Sequence, residues 1–197
     1  IQQGCSGFGK MRSSNELLSP KFTLVEDFGS GLVPRFNSEG EVAPESLVLI
    51  NDGELKNTMV SSRTAAEYGL NSNMAENGEY LRSPRMEKGI LSPQEVLTSV
   101  DNGLFISNVH YLNWSDNPSG RITGLTRYAC FQIENGEITS PIQTMRFDDT
   151  FYRFFGNELE AVGKNSYMIP DVSTYFRRSM GVMDCPGILV NSFTLTL

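Results

Sequence analysis

The sequence predicts an α+β fold, built from strand-dominated antiparallel sheets with about three short helices. Three observations point there. Apolar and polar residues alternate in several runs, as the two faces of a strand require. Two of those runs are broken by dipeptides, Asp52-Gly53 and Asn135-Gly136, that can adopt the paired positive φ of a two-residue type I′ turn. Stripes with helical spacing are confined to short stretches, so the pattern is not the alternation of strands and long helices that builds a parallel sheet.

In chain order, residues 1–20 read as an entering loop, because Gly4, Gly7 and Gly9 lie too close together for a stable helix. Their Gly-Cys-Ser-Gly-Phe-Gly run lacks both the Lys-Ser/Thr ending and the preceding strand of a phosphate loop. Residues 21–27 read as a strand with Phe22 and Leu24 on one face, and 28–43 as an irregular connection. Residues 46–51 and 54–61 pair about Asp52-Gly53. A short helix over 63–68 is closed by Gly69, which suits a left-handed C-cap. Residues 71–89 are polar and carry Pro84, so they read as a long surface loop, a kind that often binds or forms interfaces. Ser92-Pro93-Gln94-Glu95 starts a helix, with Ser92 as N-cap and Glu95 completing a capping box, and Val96, Leu97 and Val100 supply its apolar stripe up to Gly103.

Residues 104–114 predict a long strand, joined through 115–120 to a hairpin over 122–147 around Asn135-Gly136. In that hairpin Tyr128, Cys130 and Gln132 face one way and Ala129, Phe131 and Ile133 the other. The three successive strands predict an antiparallel meander. Asp148 is expected to cap a short helix carrying Phe151, Phe154 and Phe155, and the acidic pair Asp148-Asp149 suits a helix N-terminus. Residues 159–162 read as a strand, 164–185 with the Arg177-Arg178 pair resolve into no element, and 187–197 close the chain as a strand. The likeness of Ile50-Asn51-Asp52-Gly53-Glu54-Leu55 to Ile133-Glu134-Asn135-Gly136-Glu137-Ile138 fits either a duplicated hairpin unit or independent use of common turn chemistry.

At 197 residues and 39% apolar content the chain can bury a real core. A net charge of −7, without a block of like charge, disfavours nucleic-acid and anionic-membrane partners. No apolar run is long enough for a transmembrane helix and no leader pattern is present, so a soluble protein is expected. A start at Ile1 rather than Met is expected of a processed or trimmed chain, or of a fragment of a longer one. Cys5, Cys130 and Cys185 are odd in number and widely spaced, which points to no disulfide framework and to a reducing cytoplasm.

Chemistry is constrained by a single histidine, His110. A dyad of Cys130 with His110 is possible if their strands are neighbours, although a packed strand histidine satisfies the same sequence. No spacing of His, Cys and carboxylates signals a metal site. Asn108, His110, Arg121, Thr123, Arg127 and Tyr128 can line a groove whose strand edge binds an extended peptide, or can decorate a solvent face.

Ordered motifs carry a resemblance. Leu18-Ser19-Pro20-Lys21-Phe22-Thr23-Leu24-Val25-Glu26-Asp27 comes first, followed by Ser92-Pro93-Gln94-Glu95-Val96-Leu97 with Gly103-Leu104-Phe105-Ile106. Then come Thr123-Gly124-Leu125-Thr126-Arg127-Tyr128, running on to Glu137-Ile138, with Met145-Arg146-Phe147 and Pro186-Gly187-Ile188-Leu189-Val190. With these the chain resembles the C-terminal domain of the TldD/PmbA family, once called modulators of DNA gyrase and now regarded as peptidases. The resemblance implies that the catalytic His-Glu-x-x-x-His motif lies upstream, and that active members add a cysteine ligand from a Gly-rich segment before the last strand. Here that segment, residues 172–183, has no cysteine, and Cys185 beside Pro186 lies later. By this resemblance the chain holds no catalytic residue, metal ligand or cofactor of its own, and zinc belongs to the full-length protein or its partner subunit. The implied partners are a related TldD/PmbA-type subunit, in a homo- or heterodimer enclosing a chamber, and an unfolded peptide bound as an added strand. The sheet around 104–145 is then wall or interface, Asn108, His110, Arg127 and Tyr128 are the expected peptide-binding residues, and the protein is expected to be of the non-catalytic PmbA/TldE type. The alternatives are the C-terminal half of an active zinc metallopeptidase subunit and a structural interaction module that binds no peptide.

Overall fold

Two sheets carry the chain in the computed structural model, which describes residues 1–175, 178 and 180–196; Arg177 and Leu197, named above, lie outside the described residues. The elements run α1 (Gly9–Ser13), β1 (Leu24–Asp27), β2 (Ser46–Asn51), β3 (Glu54–Leu55), α2 (Ser62–Tyr68), β4 (Pro84–Met86), α3 (Val96–Val100) and β5 (Gly103–Asp116). They continue with β6 (Arg121–Glu134), β7 (Glu137–Pro141), β8 (Arg146–Thr150), the π-helical turn α4 (Arg153–Asn157), β9 (Leu159–Pro170), β10 (Val182–Val190) and β11 (Leu195–Thr196). One sheet has the order β3-β2-β1-β4-β10-β9, the other β11-β8-β6-β5 with β7 beside β6. All pairings are antiparallel except β4 with β10, which meets in parallel at Arg85 and Asp184. The α+β expectation holds.

The core explains the arrangement. Phe22, Ile50, Met86, Phe151, Leu159 and Val162 are buried together, so the alternating strand residues of the first sheet close on the aromatic run after β8. Phe151 stacks on Tyr152 at 4.3 Å, and Tyr152 donates its hydroxyl proton to the Gly7 carbonyl at 2.6 Å, which pins the entering segment. Both anticipated hairpins form with positive φ at both turn residues, Asp52 (49°) and Gly53 (80°), Asn135 (53°) and Gly136 (75°). They pair as β1-β2-β3 and β5-β6-β7, so the matching sequences do the same structural work in the two sheets.

Several expectations are corrected. Residues 1–20 are not all loop, since Gly9–Ser13 form α1 despite the nearby glycines. Residues 71–89 are not all loop: β4 sits in the middle of the first sheet. Buried Glu26 makes this possible, since its Oε1 accepts the N–H groups of Arg82 and Ser83 at 2.8 and 3.2 Å. The Arg82 guanidinium then donates to the carbonyls of Pro34 and Phe36. Asp148 does not cap a helix but lies in β8; its carboxylate pairs with Arg121 at 2.7 Å, and helical geometry begins only at Phe151. Residues 164–185 belong largely to the long β9–β10 hairpin, and the closing strand is split into β10 and β11. The strand after Asp52-Gly53 is two residues long, ending where the chain turns toward α2. Ser92 does not cap α3, whose N-cap is Glu95; only one bond of the anticipated capping box forms, Ser92 N–H donating to Glu95 Oε2 at 3.3 Å, and Ser92 Oγ donates to the same oxygen at 2.7 Å.

The cap of α2 is as anticipated at its C-terminus, with Gly69 left-handed at φ 66°. At its N-terminus buried Ser61 accepts from Thr64 N at 3.2 Å and donates to Glu79 at 3.1 Å. Ser61→Ala removes the cap and leaves a carboxylate short of a donor, so urea unfolding is expected to show a loss of about 1–2 kcal/mol.

Candidate functional site

The sequence-predicted peptide-binding residues lie on the ribbon of β5 and β6, each 14 residues long. β5 ends its sheet: β6 covers one edge, and among the described residues no strand covers the other. Asn108 stands directly opposite Arg127, and His110 opposite Leu125. Alternate residues share a face, so Asn108, His110, Leu125 and Arg127 project together. Between them Thr126 is buried, its Oγ1 accepting from Met145 N at 2.9 Å, which identifies the opposite face as the core side. Three of the four predicted residues are therefore brought together on an outward face.

Tyr128 reaches the site differently. The β5–β6 register shifts between Ile106 and Asn108 and again between His110 and Asn113, and at these bulges Tyr128 (φ 64°) and Tyr111 (φ 52°) take left-handed conformations. For bulky residues inside strands that conformation is strained. Both rings are thrust outward, 74% and 73% exposed. The Arg127 guanidinium lies 4.9 Å over the Tyr128 ring, and the His110 ring is 4.3 Å from that of Tyr111. Along the same strand Leu104, Phe105, Val109, Leu112 and Trp114 remain partly exposed, an apolar load unusual for an open edge.

The Cys130–His110 dyad does not form. Cys130 pairs with Ile106, four residues from His110 and so about 13 Å along the strand. It is buried, with its Sγ donating to the Arg127 carbonyl at 3.3 Å, whereas His110 is exposed. Cys185 is half-buried in β10 with a thiol pushed up by burial, the wrong direction for a thiolate ligand. Among the described residues no three His, Cys, Asp or Glu side chains converge to hold a metal ion. A cleft of about 550 Å³ bordered by residues 1–8, α2 and 77–81 holds Arg63, Tyr68 and Tyr80, with no arrangement of catalytic type. Arg146 escaped the sequence reading. It stands opposite Leu125 on the other flank of β6, and although the hairpin expected over 122–147 includes it, the register of β8 against β6 that puts it on the outward face was not legible in the sequence.

The sequence profile of the PmbA/TldA metallopeptidase C-terminal domain matches residues 1–197. The chain belongs to that family. No curated protein matches it. Among solved structures, TldE from Thermococcus kodakarensis superposes on this PmbA/TldA domain with a TM-score of 0.75 at 18% identity, over 99% of this chain and 46% of that one. Proteins named as modulators of DNA gyrase, from Thermotoga maritima MSB8 and Bacteroides thetaiotaomicron VPI-5482, each give a TM-score of 0.74 at 18% identity. They are covered over 43% and 40% of their length, and 99% of this chain is matched in both. The domain thus spans less than half the length of these relatives, and at this identity they establish its fold.

Proposed function

We propose that this domain serves peptide binding and subunit assembly in a PmbA/TldD-type protein of the non-catalytic, PmbA/TldE-like kind. In this reading the protein is cytoplasmic, pairs with a related subunit as a homo- or heterodimer, and receives an unfolded peptide as an added strand. The supporting observation is the open β5 edge, whose unpaired main chain offers hydrogen bonds to an extended peptide while Asn108, His110, Arg127 and Tyr128 face outward beside it. The non-catalytic assignment is supported by residues 172–183, which hold no cysteine where the resemblance places the metal-binding cysteine of active members. Zinc, where the assembly uses it, then belongs to another part of the protein or to the partner subunit.

The test uses the full-length protein with a labelled extended peptide, the same peptide N-methylated at alternate amides, and metal analysis. Binding of the first peptide, loss of binding on methylation, no cleavage and no stoichiometric zinc are the expected results. Cleavage with bound zinc would instead establish an active metallopeptidase subunit, and failure to bind either peptide would leave an interaction module.

A further inference from the structure

We propose that the outward face of the β5–β6 ribbon selects acidic peptides: an extended segment with carboxylates at alternate positions, laid along the β5 edge, presents them to Arg127 and His110. The inference rests on the peptide-binding reading and names its substrate class.

The protein carries a net charge of −7, yet this face is locally basic. Leu125 sits at its centre, with His110 directly opposite on β5, Arg146 directly opposite on β8, and Arg127 two residues along β6. Residues at these positions share a face and lie about 5–8 Å from the central one. The acidic groups of the same face are at its far end and are engaged. Asp148 is held by Arg121 at 2.7 Å and Ser115 at 3.1 Å, and Asp116 accepts from Ser119. Among the described residues neither Arg127 nor Arg146 meets a carboxylate. The first rests on the Tyr128 ring, and the second donates from Nε to Thr123 Oγ1 at 3.3 Å.

The strand geometry sets the ligand. A strand added at β5 lies about 4.8 Å from it, and alternate side chains of that strand share the outward face with Asn108 and His110. Arg127, one strand further in, is then about 10 Å from the added backbone, a gap that an arginine stem and a glutamate side chain close by reaching toward each other. Arg146, another strand away, acts through its field rather than by contact. The strained bulge at Tyr128 holds the guanidinium on the surface, where exchanging a ring contact for a carboxylate costs little. Phosphates could satisfy the same cations, but nucleic-acid binding draws on many phosphate contacts, and the rest of this acidic surface would repel the backbone.

The test measures fluorescence anisotropy of the full-length protein with two short labelled peptides, one bearing Glu at alternate positions and one bearing Gln there. At low salt the Glu peptide is expected to bind about fivefold more tightly. Arg127→Gln should remove most of that preference and Arg146→Gln a smaller part; Arg127→Lys should retain some of it, and high salt should erase it. Circular dichroism confirms that these exposed substitutions leave the fold intact. Equal binding of the two peptides, or a preference that survives Arg127→Gln, overturns the inference and leaves peptide binding standing. No binding of either peptide overturns both. Tighter binding of a single-stranded oligodeoxynucleotide than of the Glu peptide overturns the choice of ligand class.

Discussion

Gly53→Ala is expected to destabilise the protein by about 3 kcal/mol, the sum of a left-handed alanine and a steric overlap. Gly53 has φ 80°, and a Cβ built there lies 2.2 Å from the Leu18 carbonyl oxygen and 2.8 Å from that of Ser19. Those atoms are backbone and cannot rotate away. The segment is also tied to the turn, Leu18 N–H donating to the Gly53 carbonyl at 3.0 Å and Gly53 N–H to that of Phe22 at 2.9 Å. Gly136, at the matching position of the second hairpin with φ 75°, has its nearest atom at 3.3 Å, the Thr98 Cα. Gly136→Ala is therefore expected to cost only the conformational part, about 1–2 kcal/mol. Chemical denaturation of both variants checks this, and equal losses would show that the Leu18 segment yields.

Arg153→Met is expected to cost about 2 kcal/mol near neutral pH, less than a fully buried pair because Arg153 keeps a third of its side chain in solvent. Its Nε and Nη2 donate to the Asp149 carboxylate at 3.0–3.1 Å, and it also reaches Glu158 and the Ser192 carbonyl, joining β8, α4 and the segment before β11. Asp149 is only 5% exposed, so its lost partner cannot be replaced by bulk water. Burial pushes the Asp149 carboxyl up, but the Arg153 hydrogen bonds and charge, with the Thr150 and Thr194 amides, outweigh it and hold it below its ordinary value of 3.8. A depressed native pKa stabilises the fold fully above the ordinary carboxylate range, and that stabilisation disappears as pH falls through the native value. The difference between wild type and Arg153→Met should accordingly be largest near neutrality and shrink below pH 3.8, measured by urea unfolding across that range.

Half of the candidate site was legible before any coordinates. Period-two alternation places Asn108 and His110 on one face of a strand whatever it pairs with. Their meeting with Arg127 depended on register, and the bulges at Tyr111 and Tyr128 shift that register at residues with no turn propensity. Nothing in a tyrosine announces a left-handed backbone. Arg146 was lost for another reason: the hairpin expected over 122–147 includes it, but the pairing of β8 with β6 that sets it opposite Leu125 is a long-range register that no local pattern encodes.

By itself the sequence determined what local chemistry can determine. The type I′ turns, the left-handed stop at Gly69, the long alternating strands and the family motifs in their order all depend on neighbouring residues or on pattern, and all appear in the structure. Tertiary structure alone decided β4, whose Pro84 argues against a central strand until Glu26, from a distant part of the chain, accepts the Arg82 and Ser83 amides and the Arg82 guanidinium binds the distant carbonyls of Pro34 and Phe36. It also decided the division into two sheets and the basic outward face around Leu125. The physical reason is the same in each case: cross-strand partners are chosen by burial and long-range hydrogen bonding, and neither is encoded in any one segment.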